Sequence, residues 1–133
     1  MKTNTFFKEF KGKKIVITGH TGFKGSWLSL WLNYLGANVY GISNNFKTNQ
    51  TNFNNFKMKK NIKNFDIDIR NFEKLSKVIK KIKPDFIFHF AAQSLVGASY
   101  KKPLYNFETN FNGTLNLLEV LRLSNFKCVS ILI

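Results

Sequence analysis

Short apolar runs alternate with amphipathic ones along the 133 residues of this chain. The run Lys14-Ile15-Val16-Ile17 reads as a strand. After a glycine-rich break, Leu28, Trp31, Leu32 and Leu35 recur at i, i+3, i+4, i+7, the spacing of one helix face, and Gly36 supplies a C-terminal stop. Ala37 to Ile42 is a second β-type run. Residues 44–60, rich in Asn and Lys with Phe46, Phe53 and Phe56 interspersed, form the longest loop candidate. Ile62, Phe65, Ile67 and Ile69 alternate as a third strand. Asn71 can cap a helix with the apolar face Phe72, Leu75, Val78, Ile79 and Ile82, which Pro84 ends. Asp85 to Phe90 is almost continuously apolar, as expected of a strand buried on both faces. Pro103 opens a long helix carrying Phe107, Leu115, Leu118, Val120 and Leu121, and Lys127 to Ile133 reads as a last strand.

The order βαβ(loop)βαβαβ predicts an α/β fold: a Rossmann-type, doubly wound parallel sheet of about five strands with helices on both faces. The expected strand order is 3-2-1-4-5. That order puts the first strand's exit at the point where the winding reverses, where such sheets bind ligands. Neither internal repeats nor a linker divide the chain, and residues 1–133 read as one dinucleotide-binding domain.

Gly19-His20-Thr21-Gly22-Phe23-Lys24-Gly25 occupies that exit. Strand, glycine-rich turn and helix in this order make a phosphate cradle. Gly19 allows the tight turn, Gly22 lets a pyrophosphate approach the backbone, and Gly25 lets the helix pack closely. The spacing is G-x-x-G-x-x-G rather than G-x-G-x-x-G. A glycine-rich connection without a ligand is the plainer alternative, and the flanking elements favour dinucleotide binding.

Asp68, at the end of the third strand, is expected to contact the cofactor, while Asp66 reads as structural. The second strand ends in Ser43-Asn44-Asn45 with no carboxylate for ribose hydroxyls and no arginine for a 2′-phosphate. This position therefore indicates neither NAD nor NADP, and Lys47 reads as a loop lysine. Small residues in Ala91-Ala92-Gln93 let the backbone pass close to a nicotinamide ribose. His89 reads as a packed strand histidine, and Asn110 stands inside a helix against its propensity, a hint of a role.

A net charge of +14 raises the question of nucleic acid. Only Arg70 and Arg122 are arginines among 21 basic residues, whereas base readout relies on Arg. The joint excess of Lys, Asn, Phe and Ile matches A/T-rich codon usage, so a solvated surface is favoured over specific nucleic-acid binding. No run approaches the ~18 apolar residues of a membrane span and the N-terminus lacks a signal-peptide core, so a cytoplasmic location is expected. Cys128 reads as a buried, inert thiol, and one Cys with the separated His20 and His89 makes no metal site.

Together these segments resemble the N-terminal part of an extended short-chain dehydrogenase/reductase, of the NAD-dependent epimerase/dehydratase type, and within it the CDP-glucose 4,6-dehydratases. The residues that carry the resemblance are Gly19 through Leu28, with Lys24-Gly25-Ser26-Trp27 the most specific; Leu35-Gly36-Ala37 to Gly41; Asp68-Ile69-Arg70; Phe88 to Gln93; Ser99-Tyr100; Pro103; and Thr109 to Thr114. The resemblance implies that Gly19, Thr21, Gly22, Phe23 and Gly25 hold the pyrophosphate and that Asp68 and Ile69 contact the adenine. It also implies that Ala91, Ala92 and Gln93 border the ribose, and that Asn110 supports the active site. The implied cofactor is NAD, with NADP left open. The implied reaction oxidises a nucleotide sugar at C4, eliminates water across C5–C6 and returns the hydride at C6. A homo-oligomeric full-length enzyme is implied as well. Gly97-Ala98 stands where the family carries two basic residues, which leaves related dehydratases or epimerases open; a non-catalytic dinucleotide-binding module is a separate alternative. None of Tyr34, Tyr40, Tyr100 or Tyr105 has Lys four residues on. The catalytic Tyr-x-x-x-Lys is thus expected downstream of Ile133 together with the substrate-binding part, and the chain alone is expected to be inactive.

Overall fold

A computed structural model describes residues 8–44 and 62–133. The strands β1 (Lys14–Thr18), β2 (Asn38–Ser43), β3 (Lys63–Asp66), β4 (Phe86–His89) and β5 (Val129–Leu132) form one sheet in the order β3-β2-β1-β4-β5. Every pairing is parallel. The expected doubly wound sheet and its reversal point beside β1 are therefore present. Around it lie α1 (Phe23–Tyr34), α2 (Phe72–Ile82), α3 (Val96–Lys101), α4 (Pro103–Phe107) and α5 (Gly113–Arg122). Glu108–Asn112 form a π-helical segment joining α4 to α5.

The central strand shows why the chain needs helices on both faces. Ile15 and Ile17 pack with Leu32, Ala37, Val39 and Ile62 on one side. Val16, one residue out of phase, joins Ile42, Leu75, Ile79, Ile87, Leu117 and Val120 on the other. With period-two side chains and no solvent-facing side over its middle, the strand is apolar at Ile15, Val16 and Ile17.

α2 starts and stops where its sequence says. Asn71 accepts a hydrogen bond from the Lys74 N–H at 3.0 Å, Glu73 and Lys80-Lys81 match the helix dipole, and Pro84 follows the left-handed Lys83. The third strand is shorter than its alternation suggests. It leaves the ladder at Asp66, although Ile67 and Ile69 still insert into the core. The short helix α3 was not anticipated, because none of its residues is buried and no apolar periodicity marks it.

Two helix faces differ from those read off the periodicity. In α1 the buried residues are Gly25, Ser26, Ser29 and Leu32, and Trp31 is half exposed. Small residues bring this helix close to the sheet, and the two buried hydroxyls donate to the carbonyls of Phe23 and Gly25 at 2.9 and 2.7 Å. In α5 the core residues are Gly113, Leu117 and Val120, while Leu115 and Leu118, and Phe107 at the end of α4, are exposed. The π-helical turn adds a residue to the repeat and rotates the downstream face, which a 3.6-residue pattern does not register. Cys128 is half-buried rather than buried. Burial and the nearby Asp85 carboxylate push its thiol up to about 11, so it stays protonated and unreactive at neutral pH.

The loop expected over 44–60 lies, beyond Asn44, outside the described residues, as does Lys47. Among the described residues no helix is long and apolar enough to cross a membrane.

Candidate functional site

A cleft of about 540 Å³ opens along the ends of β1, β2 and β4. Gly19, Thr21, Gly22, Phe23, Gly25, Asp68, Ile69, Ala91, Ala92 and Gln93 all line it, which brings together ten residues drawn from three separate stretches of sequence. Its size lies in the range of small-molecule sites.

The first wall is the glycine turn. Gly19 leaves β1 with a φ of +73°, tied back by its N–H to the Ile42 carbonyl at 2.7 Å. A β-carbon on it would stand 2.7 Å from the Ala91 backbone nitrogen, so only glycine lets the turn nest against the end of β4. The Gly22 N–H donates to the Gly19 carbonyl at 3.0 Å, and α1 begins immediately afterwards. That helix start has no side-chain cap and no acidic residue in its first turn. Its first N–H groups, at Phe23, Lys24 and Gly25, therefore open on the cleft carrying the positive end of the dipole, an arrangement able to hold a phosphate.

The second wall is built on Asp68. Its carboxylate accepts from the Arg70 Nε at 3.0 Å and the Arg70 Nη2 at 2.6 Å, and from the Arg70 backbone N–H at 2.9 Å. These bonds to Arg70 hold the Asp68 carboxyl below the ordinary carboxylate range. Arg70 in turn reaches Glu108 through Nη1 at 3.3 Å, and its guanidinium lies 4.5 Å from the centre of the Tyr105 ring. Asn44, the last described residue before the loop, donates through Nδ2 to Asp68 Oδ2 at 3.1 Å. Asp66 ends β3 and is exposed.

The third wall, Ala91 to Ser94, is fixed from behind. Asn110 does not line the cleft. Its Oδ1 accepts from the Gln93 N–H at 2.7 Å, and its Nδ2 donates to the Gln93 carbonyl at 3.1 Å, so one side chain grips both backbone groups of a lining residue. The helix position that looked unfavourable for Asn is the π-helical segment, which points this amide at the loop.

His89 completes the support. The Ala91 N–H donates to Thr18 Oγ1 at 3.3 Å, and Thr18 Oγ1 lies 2.6 Å from His89 Nδ1. His89 Nε2 then donates to Thr114 Oγ1 at 3.0 Å, and Thr114 donates to the Asn110 carbonyl at 2.7 Å. Because the Thr114 hydroxyl is spent on the Asn110 carbonyl, it can only accept from His89, which places a proton on Nε2; burial disfavours a second proton on the ring, leaving Nδ1 to accept from Thr18. The packed strand histidine expected from sequence is thus also a tie between β1, β4 and the helix behind Gln93. Thr18 and Thr114 carried no sequence signal of this.

His20, inside the glycine turn, is fully buried against Gly41, where any β-carbon would overlap its ring, and its Nδ1 lies 3.0 Å from Ser43 Oγ. Burial pushes both imidazoles below their ordinary 6.5. Lowered folded-state values mean that the unfolded chain binds the extra protons first. Stability is complete above 6.5 and falls as pH drops below it, by up to about 1.4 kcal/mol per pH unit for each histidine. Urea midpoints measured from pH 7.5 to 5 should fall accordingly, and His89→Gln should flatten the slope. A midpoint constant over that range would contradict two buried neutral histidines. The Asp68 contribution has the same sign but disappears only at more acidic pH, at and below the ordinary carboxylate range.

Among the described residues no group of His, Cys, Asp or Glu is arranged to hold a metal ion.

The family model described as GDP-mannose 4,6 dehydratase matches residues 16–132. The chain belongs to this family of extended short-chain dehydrogenases/reductases. It is 44% identical over 121 residues to the CDP-glucose 4,6-dehydratase of Salmonella typhimurium, covering 90% of this chain and 34% of that protein. Among solved structures, the epimerase Mth375 of Methanothermobacter thermautotrophicus superposes with a TM-score of 0.78 at 32% identity, covering 90% of this chain and 34% of that one. The UDP-glucose 4-epimerase of Thermus thermophilus, solved in complex with NAD, superposes with a TM-score of 0.71 at 30% identity over 82% of this chain and 33% of that one. The chain thus spans about a third of the length of the relatives it matches.

Proposed function

We propose that this chain binds NAD in the cleft as the cofactor-holding part of a nucleotide-sugar 4,6-dehydratase similar to CDP-glucose 4,6-dehydratase. The observation that carries the reading is the uncapped start of α1 behind the Gly19–Gly25 turn, opening on a cleft walled by Asp68 and by Ala91 to Gln93. The lining residues suit the group: the glycine turn can face phosphates, the Asp68 side of the cleft can face an adenine, and the small side chains of Ala91 and Ala92 leave room for a ribose.

When bound, NAD supplies a hydride acceptor for C4 of the sugar and, after loss of water across C5–C6, a hydride donor for C6. The roles proposed for this chain's residues are binding and orientation. Gly19, Thr21, Gly22, Phe23 and Gly25 take the pyrophosphate, and Asp68 and Ile69 take the adenine. Ala91, Ala92 and Gln93 border the nicotinamide ribose, and Asn110 acts through Gln93 as a positioning residue. No Tyr-x-x-x-Lys occurs in these residues, so the base for the C4 hydroxyl is assigned to other parts of the working enzyme. Similarity to a dehydratase at 44% identity favours elimination over epimerisation, with C4 oxidation shared by both readings.

Calorimetry with the 133-residue chain should give one NAD per chain, and incubation with CDP-glucose and NAD should give no dehydrated sugar. Saturable binding with no turnover is the expected result. Dehydration by the chain alone, or no binding of NAD, would overturn the proposal.

A further inference from the structure

We propose that the edge of the sheet opposite the cleft binds the phosphate backbone of single-stranded nucleic acid without reading its bases. The site is separate from the cleft, and the proposal is independent of the cofactor reading.

A parallel sheet starts every strand on one edge, so lysines scattered through the sequence meet there. Four adjoining strands each begin beside an exposed lysine. Lys11 packs beside Gly36 at the turn into β2, and Lys13 immediately precedes β1. Lys83 lies just before β4 and Lys127 just before β5. At about 4.8 Å per strand, this row of ammonium groups runs roughly 14 Å across the sheet.

Two explanations that need no ligand fall short. Helix dipoles account for Lys80 and Lys81 in the last turn of α2, but Lys13 and Lys127 belong to strand starts. A general excess of lysine codons scatters charge over the whole exposed surface, and here the charge is polarised. Of the seven acidic residues in the chain, Asp66, Asp68, Glu73 and Glu108 lie towards the cleft edge. At the opposite edge Asp85 accepts from the Lys14 N–H at 2.8 Å and lies 3.9 Å from Lys13, an exposed and therefore weak pair. Glu119 is paired with Arg122, and Glu9 stands in the turn before β1. Residues 1–7 and 45–61 hold five lysines and no acid, so they add only positive charge.

The chemistry selects the partner. Arg70 and Arg122, the residues suited to reading bases, are both paired with carboxylates, and the row itself is all lysine, a point charge that suits phosphate. A fixed row matches a linear chain of phosphates, whereas a lipid surface of mobile headgroups has no row to match. The edge follows the twist of the sheet, which a flexible single strand can track and a stiff duplex cannot.

The test is fluorescence anisotropy of labelled oligothymidylate with the 133-residue chain. Four phosphates on a single strand predict a slope of log K against log salt of about −3, so affinity should fall roughly fiftyfold between about 50 and 200 mM salt. Lys11→Glu, Lys83→Glu and Lys127→Glu together should weaken binding at least about tenfold and bring the slope to about −1. Lys77→Glu, Lys101→Glu and Lys102→Glu, an equal change of charge away from this edge, should leave the slope near −3. Melting temperatures establish that both triples fold, and Lys→Gln at the three edge positions provides a milder version of the same loss. No binding, equal effects of the two triples, or displacement of the oligonucleotide by saturating NAD would overturn the proposal. Capture by phosphatidylserine vesicles in place of the oligonucleotide would overturn it as well.

Discussion

Replacing Gly22 with valine is expected to weaken NAD binding at least about a hundredfold, the equivalent of one or two lost charge-assisted hydrogen bonds, while the sheet stays folded. The expectation comes from what surrounds Gly22 in the protein. It is exposed, its φ of −69° and ψ of 171° suit any residue, and an added β-carbon would meet only the Gly19 carbonyl, at 3.3 Å. A shift of a few tenths of an ångström relieves that contact. Valine is a poorer helix cap than glycine, a loss of up to about 1 kcal/mol. Two methyl groups would nevertheless stand at the mouth of the helix, where an anion has to approach the first-turn N–H groups. Thermal unfolding should therefore move by a few degrees while the binding isotherm goes flat. Retained affinity in a folded Gly22→Val protein would show that the dinucleotide does not enter along α1.

Gly25→Val should have the opposite profile, with the fold itself destabilised. A β-carbon at Gly25 would overlap the Gly19 carbonyl oxygen and stand 2.8 Å from the His20 Cα and 2.9 Å from the Gly19 carbonyl carbon. All three are backbone atoms of the turn leaving β1, and none can rotate away as a side chain would. Overpacking of a core side chain costs typically about 1–3 kcal/mol, and a rigid backbone neighbour puts this site at or above the top of that range. Against a total stability of about 5–15 kcal/mol, such a loss lowers the melting temperature by roughly 10 °C or more. Circular dichroism melts of the two glycine variants side by side provide the check. Equal melting temperatures would mean that Gly25 is not where α1 meets the β1 turn.

The sequence already separates the two glycines, one kept small for a ligand and one for packing, and the structure adds what a β-carbon would meet at each: only the Gly19 carbonyl at Gly22, but three backbone atoms of the turn at Gly25. The sheet was legible because strand cores such as Ile15-Val16-Ile17 and helix caps such as Asn71 are local signals. The cleft lining was legible because the residues sit at strand exits, which topology brings together. What escaped were features decided between distant segments. Trp31 was assigned inward by its spacing, but Ser26 and Ser29 take the sheet-facing positions because they let the helix come close. Leu117 displaced Leu115 and Leu118 from the core because a π-helical turn shifts the phase. The Thr18–His89–Thr114 chain joins residues 71 and 25 positions apart, with no repeat to announce it. The pairing of Asn44 with Asp68 is equally silent, whereas His20 leaves a local mark: Gly41 within an otherwise regular strand, where a β-carbon would overlap the imidazole.

The most direct measurement is a titration of the isotopically labelled chain with NAD, followed through its backbone amide resonances. Saturable shifts should concentrate at Gly19 to Gly25, at Asp68 and Ile69, and at Ala91 to Gln93, and should vanish in the Gly22→Val protein. Shifts confined to other surfaces, or no shifts at saturating NAD, would contradict the assignment of this cleft as a dinucleotide site.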